Sequence, residues 1–188
     1  MKNKNIIWNN KNLAKVLEQN GVVVMPTDTL YGIVGRAQNI SVVERIYKMR
    51  KRASDKPCIV LIGDINETKK FSVNLSEEQK NVIKNCIVST SIILDCPDNS
   101  FAYLHRGTKT LAFRIPLNQD LQNFLLKTGP LIAPSANPEG LPPAKNIAEA
   151  KKYFGNMVDL YLNGGEIVGK ASKVIKLHKD GSVSIIRE

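Results

Sequence analysis

The apolar run Val22-Val23-Val24-Met25, stopped by Pro26 and followed at once by small polar residues, reads as a buried strand that opens onto a loop. The same arrangement recurs along the chain. Residues 58–62 form a second such strand, 91–94 a third and 131–133 a fourth, the last opening onto a loop dense in Pro, Ser, Asn and Gly. Between these runs lie helical signals. Leu13, Val16 and Leu17 recur at helical spacing and Asn20-Gly21 closes that helix. Ser41-Val-Val-Glu44 reads as a capping box opening a helix through Ile46 and Met49, and Ser76-Glu-Glu-Gln79 as a second one ahead of Val82, Ile83 and Cys86. Residues 101–105 and 110–115 flank Arg106-Gly-Thr-Lys109 as the arms of a hairpin. Residues 121–126 form a short helix before Gly129-Pro130, Ile147–Phe154 is helical, 158–162 is a strand, and Lys179-Asp-Gly-Ser182 turns a last hairpin.

Strands alternating with capped helices predict an α/β fold with both parallel and antiparallel neighbours in its sheet. At 188 residues, 43% hydrophobic and 23% charged, the chain suits one domain over residues 1–188 with a packed core. It holds no repeat, linker or low-complexity tract. No apolar run approaches the length of about eighteen residues that crosses a bilayer. The start MKNKNIIWNN has lysines but no apolar stretch of a secretory signal, so the expectation is a cytoplasmic chain without a membrane partner.

Charge says more about partners. Lys and Arg number 27 against 17 Asp and Glu, a net +10, which favours a phosphate-bearing partner, nucleotide or nucleic acid. The aromatic residues are not interleaved with basic ones as a base-stacking platform requires. Cys58, Cys86 and Cys96 form no C-x-x-C pair, and His105 and His178 are the sole histidines, so neither a zinc site nor a required disulfide is expected.

Three loops concentrate chemistry. Pro26-Thr27-Asp28-Thr29-Leu30-Tyr31-Gly32 offers two hydroxyls beyond a strand end, either to a small polar ligand or to its own backbone. Ala133-Pro134-Ser135-Ala136-Asn137-Pro138-Glu139-Gly140 lacks the G-x-S-x-G elbow of a serine nucleophile. Its Ser135 and Asn137 suit hydrogen bonds to phosphate or ribose. Between them, Lys48-Met-Arg50-Lys51-Arg52-Ala-Ser-Asp-Lys56-Pro57 carries five cations at a helix end, more than a helix dipole calls for. Guanidinium groups there suit a polyphosphate. No P-loop pattern is present, so a nucleotide is held by side chains.

Taken in order, these loops with Thr110-Leu-Ala-Phe-Arg114-Ile-Pro, Gly164-Gly165, Ser172-Lys-Val-Ile and Ile185-Ile-Arg187 resemble the YrdC family of threonylcarbamoyl-AMP synthases. The resemblance implies a twisted mixed parallel/antiparallel sheet flanked by helices, with a basic concave cleft. It implies that threonylcarbamoyl-AMP and pyrophosphate are made from L-threonine, bicarbonate and ATP with Mg2+, for modification of tRNA. No protein nucleophile and no protein-held metal is called for, since the carbamate of threonine attacks phosphorus. By position, Thr27, Thr29, Arg114 and Ser172 correspond to threonine-binding residues. Arg50, Arg52, Lys56, Thr110, Ser135, Asn137 and Arg187 correspond to ATP-binding ones. A tRNA threonylcarbamoyl-transferase complex is the implied acceptor. A non-catalytic relative holding tRNA or double-stranded RNA in the same cleft is the alternative. The chain departs from the pattern in four places: Arg50-Lys51-Arg52-Ala53 stands for Lys-x-Arg-Pro, residues 87–91 stand for Pro-Gly-Pro-x-Thr, Leu61 stands where some members have His, and Lys173 where Thr is common.

Overall fold

A computed structural model describes residues 7–188; the first six residues, part of the stretch read above for a secretory signal, lie outside the described residues. Among the described residues nine strands form one sheet: β1 (Val23–Pro26), β2 (Tyr31–Arg36), β3 (Ile59–Leu61), β4 (Thr90–Asp95), β5 (Thr110–Arg114), β6 (Leu131–Ile132), β7 (Leu160–Tyr161), β8 (Lys173–Leu177) and β9 (Val183–Arg187). Their order is β7-β1-β2-β6-β3-β5-β4-β8-β9. The pairs β1–β7, β3–β5 and β4–β8 run parallel, and the remaining neighbours antiparallel, giving the mixed sheet expected. Among the described residues six α-helices flank it: α1 (Lys11–Glu18), α2 (Ile40–Arg50), α3 (Glu77–Lys84), α4 (Ala102–His105), α5 (Gln119–Thr128) and α6 (Ile147–Phe154).

Strand alternation sorts the apolar side chains onto two faces. Val24, Val60, Ile62, Leu111 and Phe113 join one cluster with Val42, Val43 and Ile46 of α2, Leu104 of α4 and Ala150 and Phe154 of α6. Val23, Met25 and Leu61 point the other way, into a cluster with Leu13 and Leu17 of α1 and Leu121, Phe124 and Leu125 of α5. The larger cluster backs both halves of the sheet. The smaller one covers the β1–β2–β6–β3 part. On the same side, Ile59, Ala112, Ile93 and Val174 are left half-buried, the floor of an open concavity.

Local signals explain much of this. The Ser76 capping box is present with both reciprocal bonds, Gln79 N–H to Ser76 Oγ and Ser76 N–H to Gln79 Oε1. The Ser41 box is not. Asn39 caps α2, its side chain accepting from Val42 N–H, and Ser41 lies inside the helix. The expected hairpin about residues 106–109 is also absent. Residues 99–105 are helical because Asp98 accepts from Ser100 N–H and because half-buried Phe101 and buried Leu104 meet the larger apolar cluster at helical spacing. Arg106 then ends the turn at φ 51°, and β5 finds β4 as its antiparallel partner, Asp95 opposite Thr110. His105 is therefore a buried helical residue, not a strand one. The polar loop after β1 is shorter than read: Tyr31 and Gly32 belong to β2, and a tight turn over 27–30 joins the strands, with Thr27 N–H donating to Leu30 O at 2.9 Å.

Gly63, just past β3, is where α5 comes closest. A Cβ there would lie 2.7 Å from Gln122 O and 2.9 Å from Leu126 N, backbone atoms that cannot turn aside. Gly63→Ala is expected to destabilise the fold by about 1–3 kcal/mol through overpacking, read as a lowered urea midpoint with unchanged m-value.

Candidate functional site

The cleft, of about 540 Å³, opens over β3, β5, β4 and β8 where the helices α1 and α5 leave the sheet bare. Loops from four parts of the chain wall it. Thr27, Thr29, Arg50, Arg52, Thr110, Arg114, Ser135, Ser172 and Arg187 all line it, and Thr108, Pro143 and Ala171 complete its edge. Nine of the eleven residues assigned from sequence thus meet in one concavity, four of them arginines.

Arg114 is fixed most tightly. Its side chain is 5% exposed and forms an ion pair with Asp28, 6% exposed, at 3.1 Å. Its Nη1 donates to Thr29 Oγ1 at 3.1 Å and its Nη2 to Thr27 Oγ1 at 3.4 Å. Burial lowers its pKa and the Asp28 carboxylate opposes that shift; a guanidinium keeps its charge here. Asp28 also accepts from Ser89 Oγ at 2.6 Å and from Leu117 N–H at 3.3 Å. Thr27 has a second duty: its hydroxyl donates to Leu30 O at 2.7 Å and holds the turn. The reading in which the loop bonds its own backbone holds for Thr27, while Thr29 faces the cleft.

Arg50, 3% exposed at the end of α2, braces the second loop. Its Nε donates to Asn137 O at 2.9 Å and its Nη2 lies 3.4 Å from both Ser135 Oγ and Asn137 Oδ1. Burial lowers its pKa. Arg52 folds back along its own segment, donating to Lys56 O and Pro57 O. On the far wall Ser172 and Ser91 share a buried bond at 2.8 Å, and Arg187 donates to Ser172 O at 2.8 Å. Tyr31 Oη donates to Gly165 O and accepts from Gly164 N–H, anchoring the segment 163–172 beside the cleft. Gly169 lets that segment pass against the Thr29 carbonyl, 1.9 Å from where a Cβ would sit.

Two assigned residues stand apart from the lining. Asn137 is buried with its amide donating to Pro138 O and Leu141 O, a brace within its own loop. Lys56 sits at the rim in an ion pair with Glu139.

Residues 15–188 match the family model Sua5_yciO_yrdC, described as Telomere recombination. The chain belongs to this family. Threonylcarbamoyl-AMP synthase of Bacillus subtilis (strain 168) is 32% identical over 171 residues, covering 89% of this chain and 49% of that protein. The crystal structure of Sua5 from P. abyssi complexed with L-threonine has a TM-score of 0.77 at 24% identity, over 88% of this chain and 50% of that one. E. coli YciO has a TM-score of 0.81 at 23% identity, over 98% of this chain and 89% of that one. At these identities the two structures bear on the fold, which they share. The chain spans about half the length of the Bacillus and Pyrococcus proteins.

Two acidic residues that sequence reasoning left without a role shape the site of this family member. Asp28 stands between two threonines that were assigned, and Glu139 two positions beyond Asn137, yet the partners of both are remote in sequence. The departure at 87–91 keeps its hydroxyls tied to the cleft, Ser89 to Asp28 and Ser91 to Ser172. Asp28→Asn leaves the Arg114 charge buried without a counter-charge and is expected to cost roughly 3–5 kcal/mol of stability at neutral pH, measured by chemical denaturation. A loss below 1 kcal/mol would show that the pair is not what holds the guanidinium.

Proposed function

We propose that the chain joins L-threonine, bicarbonate and ATP into threonylcarbamoyl-AMP and pyrophosphate, a nucleotidyl transfer that supplies threonylcarbamoyladenosine modification of tRNA. The observation that carries this is the placement of Arg114, paired with Asp28 and bonded to Thr29, in one cleft with Arg50, Arg52 and Arg187. The first group suits a small amino acid with a carboxylate and a hydroxyl. The second suits a nucleotide triphosphate. A volume of 540 Å³ lies in the range of small-molecule sites. The names of the Bacillus and Pyrococcus relatives, and L-threonine in a Sua5 structure, point to the same substrates.

Threonine's amine takes up bicarbonate with loss of water, giving an N-carboxy group. One oxygen of that carbamate attacks the α-phosphorus of ATP as the bond to the β-phosphate oxygen breaks, and pyrophosphate leaves. In this scheme Arg114 and Thr29 hold the amino acid, with Ser172 on the opposite wall. Arg50, Arg52, Ser135, Thr110 and Arg187 orient the phosphates and offset the negative charge that gathers on them, which is where positioning and electrostatics lower the barrier. The lining carries no carboxylate among the described residues, so magnesium enters with the triphosphate as part of the substrate. The product is unstable and passes to a tRNA threonylcarbamoyl-transferase system.

The test is pyrophosphate release with ATP, magnesium and bicarbonate, with and without L-threonine. Threonine-dependent release with a threonylcarbamoyl-AMP mass is the expected result. No release from folded protein at any threonine concentration, with RNA retention that falls steeply with salt, would replace this reading with an RNA-binding one. Thr29→Val is expected to weaken threonine use by about 1–3 kcal/mol, seen as a raised threonine KM.

A further inference from the structure

The segment after α2 holds an anion, and the anion belongs to the protein. Glu139 Oε2 accepts from Ala53 N–H at 2.6 Å and its Oε1 accepts from Lys56 Nζ at 2.5 Å. The backbone answers in the other direction, Glu139 N–H donating to Arg50 O at 2.7 Å. A main-chain N–H and an ammonium converging on one carboxylate are the same donors that recognise phosphate oxygens. Lys51 takes a left-handed turn at φ 50°, and Arg52 closes the loop by donating to Lys56 O and Pro57 O. The loop is therefore held in shape by its own bonds. Its neighbours Arg52 and Pro57 line the cleft, so the carboxylate stands at the cleft's mouth. The Lys56 ammonium and Ala53 N–H hold the Glu139 carboxyl below its ordinary range, so it is charged at neutral pH.

We infer that Glu139 competes with an outer phosphate of the nucleotide for Ala53 N–H and Lys56, and sets the affinity of that subsite by having to leave. This rests on the nucleotide reading above. Phosphate and carboxylate cannot share two donors without like-charge repulsion, and the Glu139 side chain, partly exposed, has solvent to move into. Glu139 is thus an affinity-setting residue with no part in bond making. Its removal is expected to strengthen phosphate binding, the opposite of what loss of a structural strut would do.

Calorimetric titration of pyrophosphate, and separately of magnesium ATP, into the wild-type protein, Glu139→Gln and Lys56→Gln tests this. Glutamine keeps an acceptor for Ala53 N–H without the charge. Glu139→Gln is expected to bind pyrophosphate about three- to tenfold more tightly than wild type, and Lys56→Gln more weakly. The Ala53 amide nitrogen resonance of the wild-type protein is expected to move on saturation with pyrophosphate, as one acceptor replaces another. Wild-type binding with unchanged or weaker binding in Glu139→Gln, or an Ala53 resonance that does not move, overturns the inference and leaves the nucleotide reading standing. No binding of either ligand to any of the three proteins overturns both.

Discussion

A guanidinium taken out of water has to meet a counter-charge, and in this fold Arg114 meets Asp28. Much of the cleft follows from that requirement. Arg114 ends β5 in the middle of the sheet, and Asp28 sits in the turn between β1 and β2. The same carboxylate receives Ser89 just before β4 and the Leu117 amide just after β5. With the Arg114 bonds to Thr27 and Thr29, this buried charge pair therefore ties three segments to one another. The pair adds little net stability, because desolvation offsets most of its attraction. Its effect is positional: it aims a cation and the Thr29 hydroxyl into the same space.

The open cleft depends on how the two faces are covered. The helices α2, α4 and α6 bury the larger cluster, while α1 and α5 cover the part of the opposite face over β1, β2, β6 and β3. The floor left bare is made of Ile59, Ile93, Ala112 and Val174, which are small or branched and present no charge. The arginines therefore rise from the edges, at strand ends and in loops, around an apolar base. Charges at the rim of a low-dielectric floor act more strongly on an anion than the same charges spread over a convex surface.

Capping and periodicity made parts of this fold legible in the sequence. The Ser76 box, the helix Ile147–Phe154 and the hairpin at residues 179–182 are local events, and the structure has them where the residues indicate. The arms read as a hairpin about 106–109 failed for a tertiary reason. Leu104 belongs to the large apolar cluster and Phe101 packs against it, both from a helical turn, and β5 pairs with β4 rather than with the segment just before it. The cap of α2 was misplaced by two residues because Asn39 competes with Ser41 and wins by accepting from Val42 N–H. The site was legible through its motifs, which bring nine residues to one cleft. The roles of Asp28 and Glu139 were not, since each is defined by a partner contributed by a distant segment. Asn137 has a comparable history: a side chain of ligand-binding type that its own loop and Arg50 use fully.

The departures in the basic segment act together. Arginine at position 50 has a planar fork that reaches Asn137 O, Asn137 Oδ1 and Ser135 Oγ at once, which a single ammonium could not span in the same way. Alanine at position 53 has an N–H where proline would have none, and that N–H is what Glu139 accepts. Arg50 O in turn receives Glu139 N–H. The two substitutions and the glutamate therefore close one ring of bonds between the segment after α2 and the loop after β6. In this chain the two loops are coupled to each other through Glu139, so a ligand that displaced that carboxylate would loosen the tie between them.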